Sequence, residues 1–472
     1  MKFLIPIPLL LIFSCGSEKK ESAKKQDDTI AVPIPVFDSI PDFTKCYCGK
    51  IGTYEIEMCL SKGGNFLSGV YKYKSQKEFL KLEGAIDSTG KIILSEYVML
   101  NNYAGNTGVF TGRINASIFQ GVWVQGEGGK KLDFELEEIN ENELSFKEAD
   151  PSQVYINKGA GSKEHLVHYP ARPHIAKTIN SAIGAQFPLS RVEYFIYENY
   201  LSIDVYWEAF KYTERSEQLF DLRTGIGTHG LEMFEPTRRK ELLDVISDTL
   251  YGIYEREITC YERPEKIEWP DIRIVLKPEI IEFRYTYGYM ESCRAQEEGC
   301  CRLTWIELDN YLAKHLKNEP KDLITIQGDF NGDGKPELAH GFISQEGYGS
   351  PQDGGKANEY SVSFSGNLPR INDIGCCEVF LINEGDLNND GADEISIYQA
   401  PLNGRTYTMA TYSFANGSWK QIHLFLIPTA FLEGDDWDLQ EMVYKQNGSI
   451  YYKEVNTNAA APKFNVVKVE LK

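Results

Sequence analysis

Between residues 323 and 398 the chain repeats one pattern of oxygen-bearing side chains. Gly328-Asp-Phe-Asn-Gly-Asp-Gly-Lys-Pro-Glu-Leu338 is followed 57 residues later by Gly385-Asp-Leu-Asn-Asn-Asp-Gly-Ala-Asp-Glu-Ile395. Both fit D-x-N-x-D-G-x-x-E. Oxygens at positions 1, 3 and 5 turn inward around a tight bend that the glycine at position 6 permits. Position 7 adds a backbone carbonyl and position 9 a carboxylate. Hard oxygen donors without nitrogen or sulfur select calcium over a transition metal. One set is Asp329, Asn331, Asp333, the carbonyl of Lys335 and Glu337. The other is Asp386, Asn388, Asp390, the carbonyl of Ala392 and Glu394. The expected cofactor is calcium, up to two ions, in a structural role. The rival is a pair of Asx turns in surface loops. Position 12 holds His340 or Ile397 where an EF-hand needs a bidentate glutamate, and the flanks read as strands.

Other constellations carry less. Glu164, His165, His168 and His174 lack the H-E-x-x-H order, and Pro170 and Pro173 interrupt them, so a surface loop is expected. No G-x-S-x-G elbow, Walker A loop or dinucleotide fingerprint occurs. The glycine-rich stretch 347–355 opens no helix and so forms no phosphate cradle. Tyr285, Tyr287 and Tyr289 alternate and would share a strand face, either as an aromatic binding surface beside the cysteine-bearing insert 291–301 or as a continuation of the core. No catalytic residue is assigned.

These residues need a scaffold, and 472 residues predict about three domains. A net charge of -20 repels phosphate backbones and argues against nucleic acid as a partner. Residues 41–149 read as seven short strands (52–60, 66–74, 78–86, 91–99, 108–114, 117–125 and 131–138) joined by glycine-rich turns. Such a meander predicts an antiparallel barrel or sandwich, with Gly69 and Gly121 at bends beside Tyr71 and Trp123. Residues 150–318 mix helix and strand, an α+β pattern. Ile175, Ile179 and Ile183 mark one helix; Leu242, Leu243, Ile246, Leu250 and Ile253 mark another; Leu308, Leu312 and Leu316 mark a third. Residues 194–207 read as one strand. Residues 319–472 read as a compact β domain or partial propeller carrying both calcium loops.

Two resemblances follow. The motifs Glu208-Ala209, Leu219-Phe-Asp-Leu-Arg-Thr-Gly225, Ile281-Glu-Phe-Arg-Tyr-Thr-Tyr-Gly288 and Glu307-Leu308 to Tyr311-Leu312 resemble the RsiV-like (DUF3298) extracellular domain. That resemblance implies sensing or accessory binding rather than catalysis, although the insert's cysteines depart from it. The strand-flanked acidic loops resemble FG-GAP or VCBS-type repeats, which implies calcium.

The N-terminus gives an address. Met1-Lys2, the apolar run from Phe3 to Phe13 and Ser14-Cys15-Gly16 resemble a lipoprotein signal, with residues 1–14 removed and Cys15 lipidated. Residues 15–40 begin with a run of charged side chains and read as a flexible tether. The remaining nine cysteines, an odd number, suit disulfides in an oxidising compartment better than zinc sites. Together these features predict a non-catalytic, calcium-stabilised lipoprotein of the cell envelope, at the outer membrane, serving as a binding or scaffold module. The alternatives are a hydrolase or accessory subunit acting on cell-wall or glycan substrates, and a sensor or inhibitor of a basic lysozyme-like protein.

Overall fold

Eight strands close the N-terminal barrel in this computed structural model, one more than the sequence pattern discloses. They are β1 (Thr44–Ile51), β2 (Tyr54–Gly63), β3 (Phe66–Tyr73), β4 (Leu80–Ile86), β5 (Lys91–Leu100), β6 (Tyr103–Asn115), β7 (Ile118–Gln125) and β8 (Lys131–Ile139). Each is antiparallel to the next, and β1 returns to β8 in the register Cys46↔Ile139 to Ile51↔Phe134. The seam carries an ion pair, Lys45 to Glu138 at 2.6 Å. The structure describes residues 40–472 apart from 101–102, 147, 159–161, 185–187, 210–211, 258–262, 288–297, 317–324, 349–350, 352–353, 378, 403–405, 429–438, 457–463 and 470–472. Cys15, the tether before Ile40, Tyr289, Cys260 and Cys293 therefore lie outside the described residues.

The barrel interior is filled by its own side chains, among them Tyr47, Met58, Leu60, Tyr71, Leu94, Phe110, Phe119 and Leu136. Eight strands leave room for just such a filling. At Gly69 and Gly121 an added Cβ would sit 2.1 Å from the Cys59 and Thr111 carbonyls of the neighbouring strands, so both positions require glycine. A carboxylate also enters this interior. Glu96 is buried and accepts from Trp123 Nε1 at 2.8 Å, and from the hydroxyls of Tyr71 and Thr107.

The central layers are α+β. Helix Pro173–Ala182 lays Ile175, Ala176 and Ile179 on an antiparallel sheet of Leu189–Tyr197, Tyr200–Ala209, Tyr212–Asp221 and Ile226–Gly227. The single strand expected over 194–207 is instead a hairpin. The chain reverses at Glu198, whose φ of 48° is left-handed. Helix Arg239–Glu257 packs Leu242, Ile246 and Leu250 against a second sheet of Ile272–Leu276, Ile280–Thr286 and Glu298–Thr304. The third expected helix shortens to Trp305–Leu308. Leu312 then bridges to Phe234, and Leu316 ends a separate 3-10 turn. Four-residue leucine spacing survives because all three side chains still reach the same core.

Arg239 joins barrel to core. Its guanidinium is fully buried and donates to the carbonyls of Lys62 (2.5 Å), Phe43 (2.8 Å) and Phe234 (3.2 Å), and to Thr44 Oγ1 (2.6 Å). A second polar knot ties the two central sheets. Glu282, fully buried, takes Arg284, Arg302 Nε (2.9 Å) and Lys277 Nζ (3.0 Å), and Arg284 continues to Glu217 on the other sheet.

Two four-stranded meanders and one three-stranded sheet follow. The first comprises Ile326–Gly328, Glu337–Gln345, Glu359–Phe364 and Ile371–Gly375. The second comprises Val379–Gly385, Glu394–Gln399, Thr406–Ala415 and Ser418–Pro428. The three-stranded sheet comprises Val443–Gln446, Ser449–Val455 and Phe464–Val469. Residues Ile40–Lys472 cluster as one compact unit. Among the described residues, no helix is long and apolar enough to cross a membrane.

Candidate metal centre

The two acidic loops occupy equivalent places, each joining the first two strands of its four-stranded sheet. Strand on both sides is what the flanking residues predict. Glycine at position 6 serves the bend, with φ of 83° at Gly334 and 95° at Gly391.

In the first loop the inward oxygens gather backbone amides. Asp329 accepts from Asp333 N (3.0 Å) and Gly334 N (2.9 Å). Asn331 Oδ1 accepts from Asp333 N (2.8 Å), and Asp333 accepts from Lys335 N (2.8 Å). Glu337 closes the loop from beneath, taking Phe330 N (3.0 Å) and Asn331 Nδ2 (2.8 Å). The second loop repeats this arrangement. Asp386 accepts from Gly391 N (3.2 Å), Asn388 Oδ1 from Asp390 N (2.8 Å) and Asp390 from Ala392 N (2.9 Å). Glu394 takes Leu387 N (2.7 Å) and Asn388 Nδ2 (2.9 Å).

Each loop buries one glutamate close to its aspartates. Glu337 and Glu394 are buried, and among the described residues neither has an ion-pair partner. Burial pushes the Glu394 carboxyl up to about 7, with Asp390 adding to the shift while the Leu387 amide and Ser413 hydroxyl oppose it. Burial raises Glu337 likewise, aided by Asp333 and Asp329. Two aspartates and a buried glutamate in one bend repel one another unless a positive charge lies among them. Among the described residues, no three His, Cys, Asp or Glu side chains converge as a metal set by themselves.

Two contacts were not foreseen from the sequence. Asp393, at position 8 of the second loop, reaches the first: its N–H donates to Asp329 O (2.8 Å), and its Oδ2 accepts from Asp329 N (3.0 Å). Lys445, from the three-stranded sheet, donates to Asp386 O (2.8 Å) and Asn389 Oδ1 (2.5 Å) in the second loop. The only sequence signal for Asp393 is that position 8 of the first loop is Pro336, which offers neither donor nor acceptor side chain.

The other candidates stand apart from the loops. Tyr287 is buried in the core and donates to Leu250 O at 2.7 Å, while Tyr285 is half-buried beside it. Cys300 and Cys301 belong to strand Glu298–Thr304 rather than to a disulfide-bound insert, and both are free thiols. Burial pushes Cys300 up to about 12 and Cys301 up to about 11, so neither is a thiolate nucleophile at neutral pH. Cys46 faces Cys59 across β1 and β2 at disulfide distance, and Cys376 and Cys377 also lie at that distance. His165 and His168 share a shallow cleft with Lys163, Glu164 and Lys177. No protein-family model and no curated protein matches this chain.

Proposed function

We propose that the chain is a non-catalytic, calcium-stabilised binding or scaffold lipoprotein of the cell envelope, held to the membrane by a lipid on Cys15. The observation carrying the calcium part is the paired loops, equivalently placed, each with a buried glutamate that among the described residues lacks an ion partner. In each, Asp, Asn and Asp at positions 1, 3 and 5, the position-7 carbonyl and the position-9 glutamate would hold the ion. Bound calcium would supply positive charge, and the loop residues would supply its oxygen ligands. The resemblance to FG-GAP or VCBS-type repeats and to the RsiV-like domain supports a binding module that displays surfaces rather than turning over a substrate.

Removing metal should then lower the melting temperature, and calcium should restore it more than magnesium, because Mg2+ demands a tighter octahedron than this loop offers. An unchanged melting curve with no calcium heat in calorimetry would refute the assignment. The anchor is tested separately. Cys15→Ala should move the protein from the membrane fraction to the soluble one and remove the mass of the lipid; unaltered fractionation and mass would end that part of the reading.

The net charge of -20 favours a second reading, a sensor or inhibitor that captures a basic lysozyme-like protein.

A further inference from the structure

We infer that the two acidic loops are energetically coupled, the second ordering the first through Asp393, so that calcium enters them cooperatively. This rests on the calcium reading above and adds how its two sites communicate. Asp393 lies between Ala392, whose carbonyl would ligate the second ion, and Glu394, whose carboxylate would close that site. An ion in the second loop therefore fixes the backbone on both sides of Asp393. The same residue exchanges two hydrogen bonds with Asp329, the first ligand of the other loop. Its Oδ2 also accepts from Asn383 Nδ2 at 3.1 Å, and Asn383 donates to Gln327 O at 2.9 Å, on the strand that leads into the first loop. Filling the second loop thus removes freedom from Asp329 and its approach before the first ion arrives. A ligand that meets a site already ordered binds more tightly.

The loops are also in near contact: a Cβ added at Gly332 would lie 3.2 Å from Gly391 O. Two divalent ions repel, which opposes the coupling. Asp333 and Asp390 are exposed, however, so solvent and salt screen that repulsion while the hydrogen-bonded link persists. Lys445 occupies on the second loop the place that Asp393 occupies on the first, holding the position-1 carbonyl, but it brings no second metal loop with it. The coupling therefore joins these two loops.

The test is calcium titration calorimetry on the metal-free full chain. Asp386→Asn with Asp390→Asn leaves only the first loop, and Asp329→Asn with Asp333→Asn leaves only the second. The overall constant of the unaltered protein should exceed the product of the two single-loop constants by about ten-fold, within the usual span of coupling between sites. Asp393→Pro copies the residue that the first loop carries at this position and removes both the donor and the acceptor. It should lower the overall constant by that same factor, whereas Asp393→Asn, which keeps an acceptor, should retain most of it. An overall constant equal to the product overturns the coupling and leaves the calcium reading standing. Absence of calcium heat in all proteins overturns both. Should the proline variant not fold, the comparison of the unaltered protein with the single-loop proteins decides alone.

Discussion

Arg239→Ala is expected to destabilise the protein by about 3–5 kcal/mol and to loosen the barrel from the central layers. Burial lowers the Arg239 guanidinium to about 10, against the partial opposition of Glu232, Asp42 and Glu235. A shift of that size costs the charged form about 3 kcal/mol at neutral pH. Four hydrogen bonds from a cation, at about 1.5–3 kcal/mol each, outweigh that cost. Removing the side chain takes a donor from three carbonyls and the Thr44 hydroxyl and leaves a hole between barrel and helix. Arg239→Lys should recover less than half of the loss, because an ammonium cannot span four acceptors set for a planar fork. Calorimetry checks this, together with proteolysis between barrel and core. A variant that melts and resists protease as the unaltered chain does would show that the clasp is redundant.

Acid should attack the other polar knot. Burial alone would raise Glu282, but Arg284, Lys277 and Arg302 outweigh it and bring its carboxyl down to about 2 from 4.5. A depressed folded value means that the group's stabilisation is complete above the unfolded value of 4.5 and is lost as pH falls through 2. The loss should be about 3 kcal/mol, summed over that window. Glu282→Gln should cost about as much at pH 7, since Arg284, Arg302 and Lys277 then lose their shared carboxylate. It should also flatten the stability profile between pH 4.5 and 2. Denaturant midpoints at several pH values test both statements, and parallel profiles for the two proteins would refute the assignment to Glu282.

What the sequence discloses follows from what each element shows to solvent. Strands β2 to β8 were legible because one face is apolar and the other polar. The strand β1 was not: Thr-Lys-Cys-Tyr-Cys-Gly-Lys-Ile points only Tyr47 and Ile51 inward as large apolar groups, and its pairing with β8 is non-local. The hairpin at Glu198 was hidden because it carries no glycine at its left-handed residue. The acidic loops were legible because their spacing is local, whereas Asp393 and Lys445 matter through contacts made across 64 and 59 residues of sequence. Arg239 reads as an ordinary surface residue at a helix start. Only the fold brings the Phe43 and Lys62 carbonyls to it.

Barrel closure bears on how the chain assembles. As residues emerge, β1 through β7 can pair in succession as hairpins, but the β1–β8 seam must wait until residue 139 is available. Until then the growing sheet has two open edges, and an open edge invites pairing with another molecule. The charges on this seam guard against that. Strand β1 brings Lys45 and Lys50, while β8 brings Asp133, Glu135, Glu137 and Glu138. Two copies of β1 repel, two copies of β8 repel more strongly, and β1 attracts the β8 of its own barrel, as the Lys45–Glu138 pair records. At high concentration the unfinished sheet is thereby steered toward ring formation and away from fibrous association, and seams stripped of these charges should aggregate during refolding.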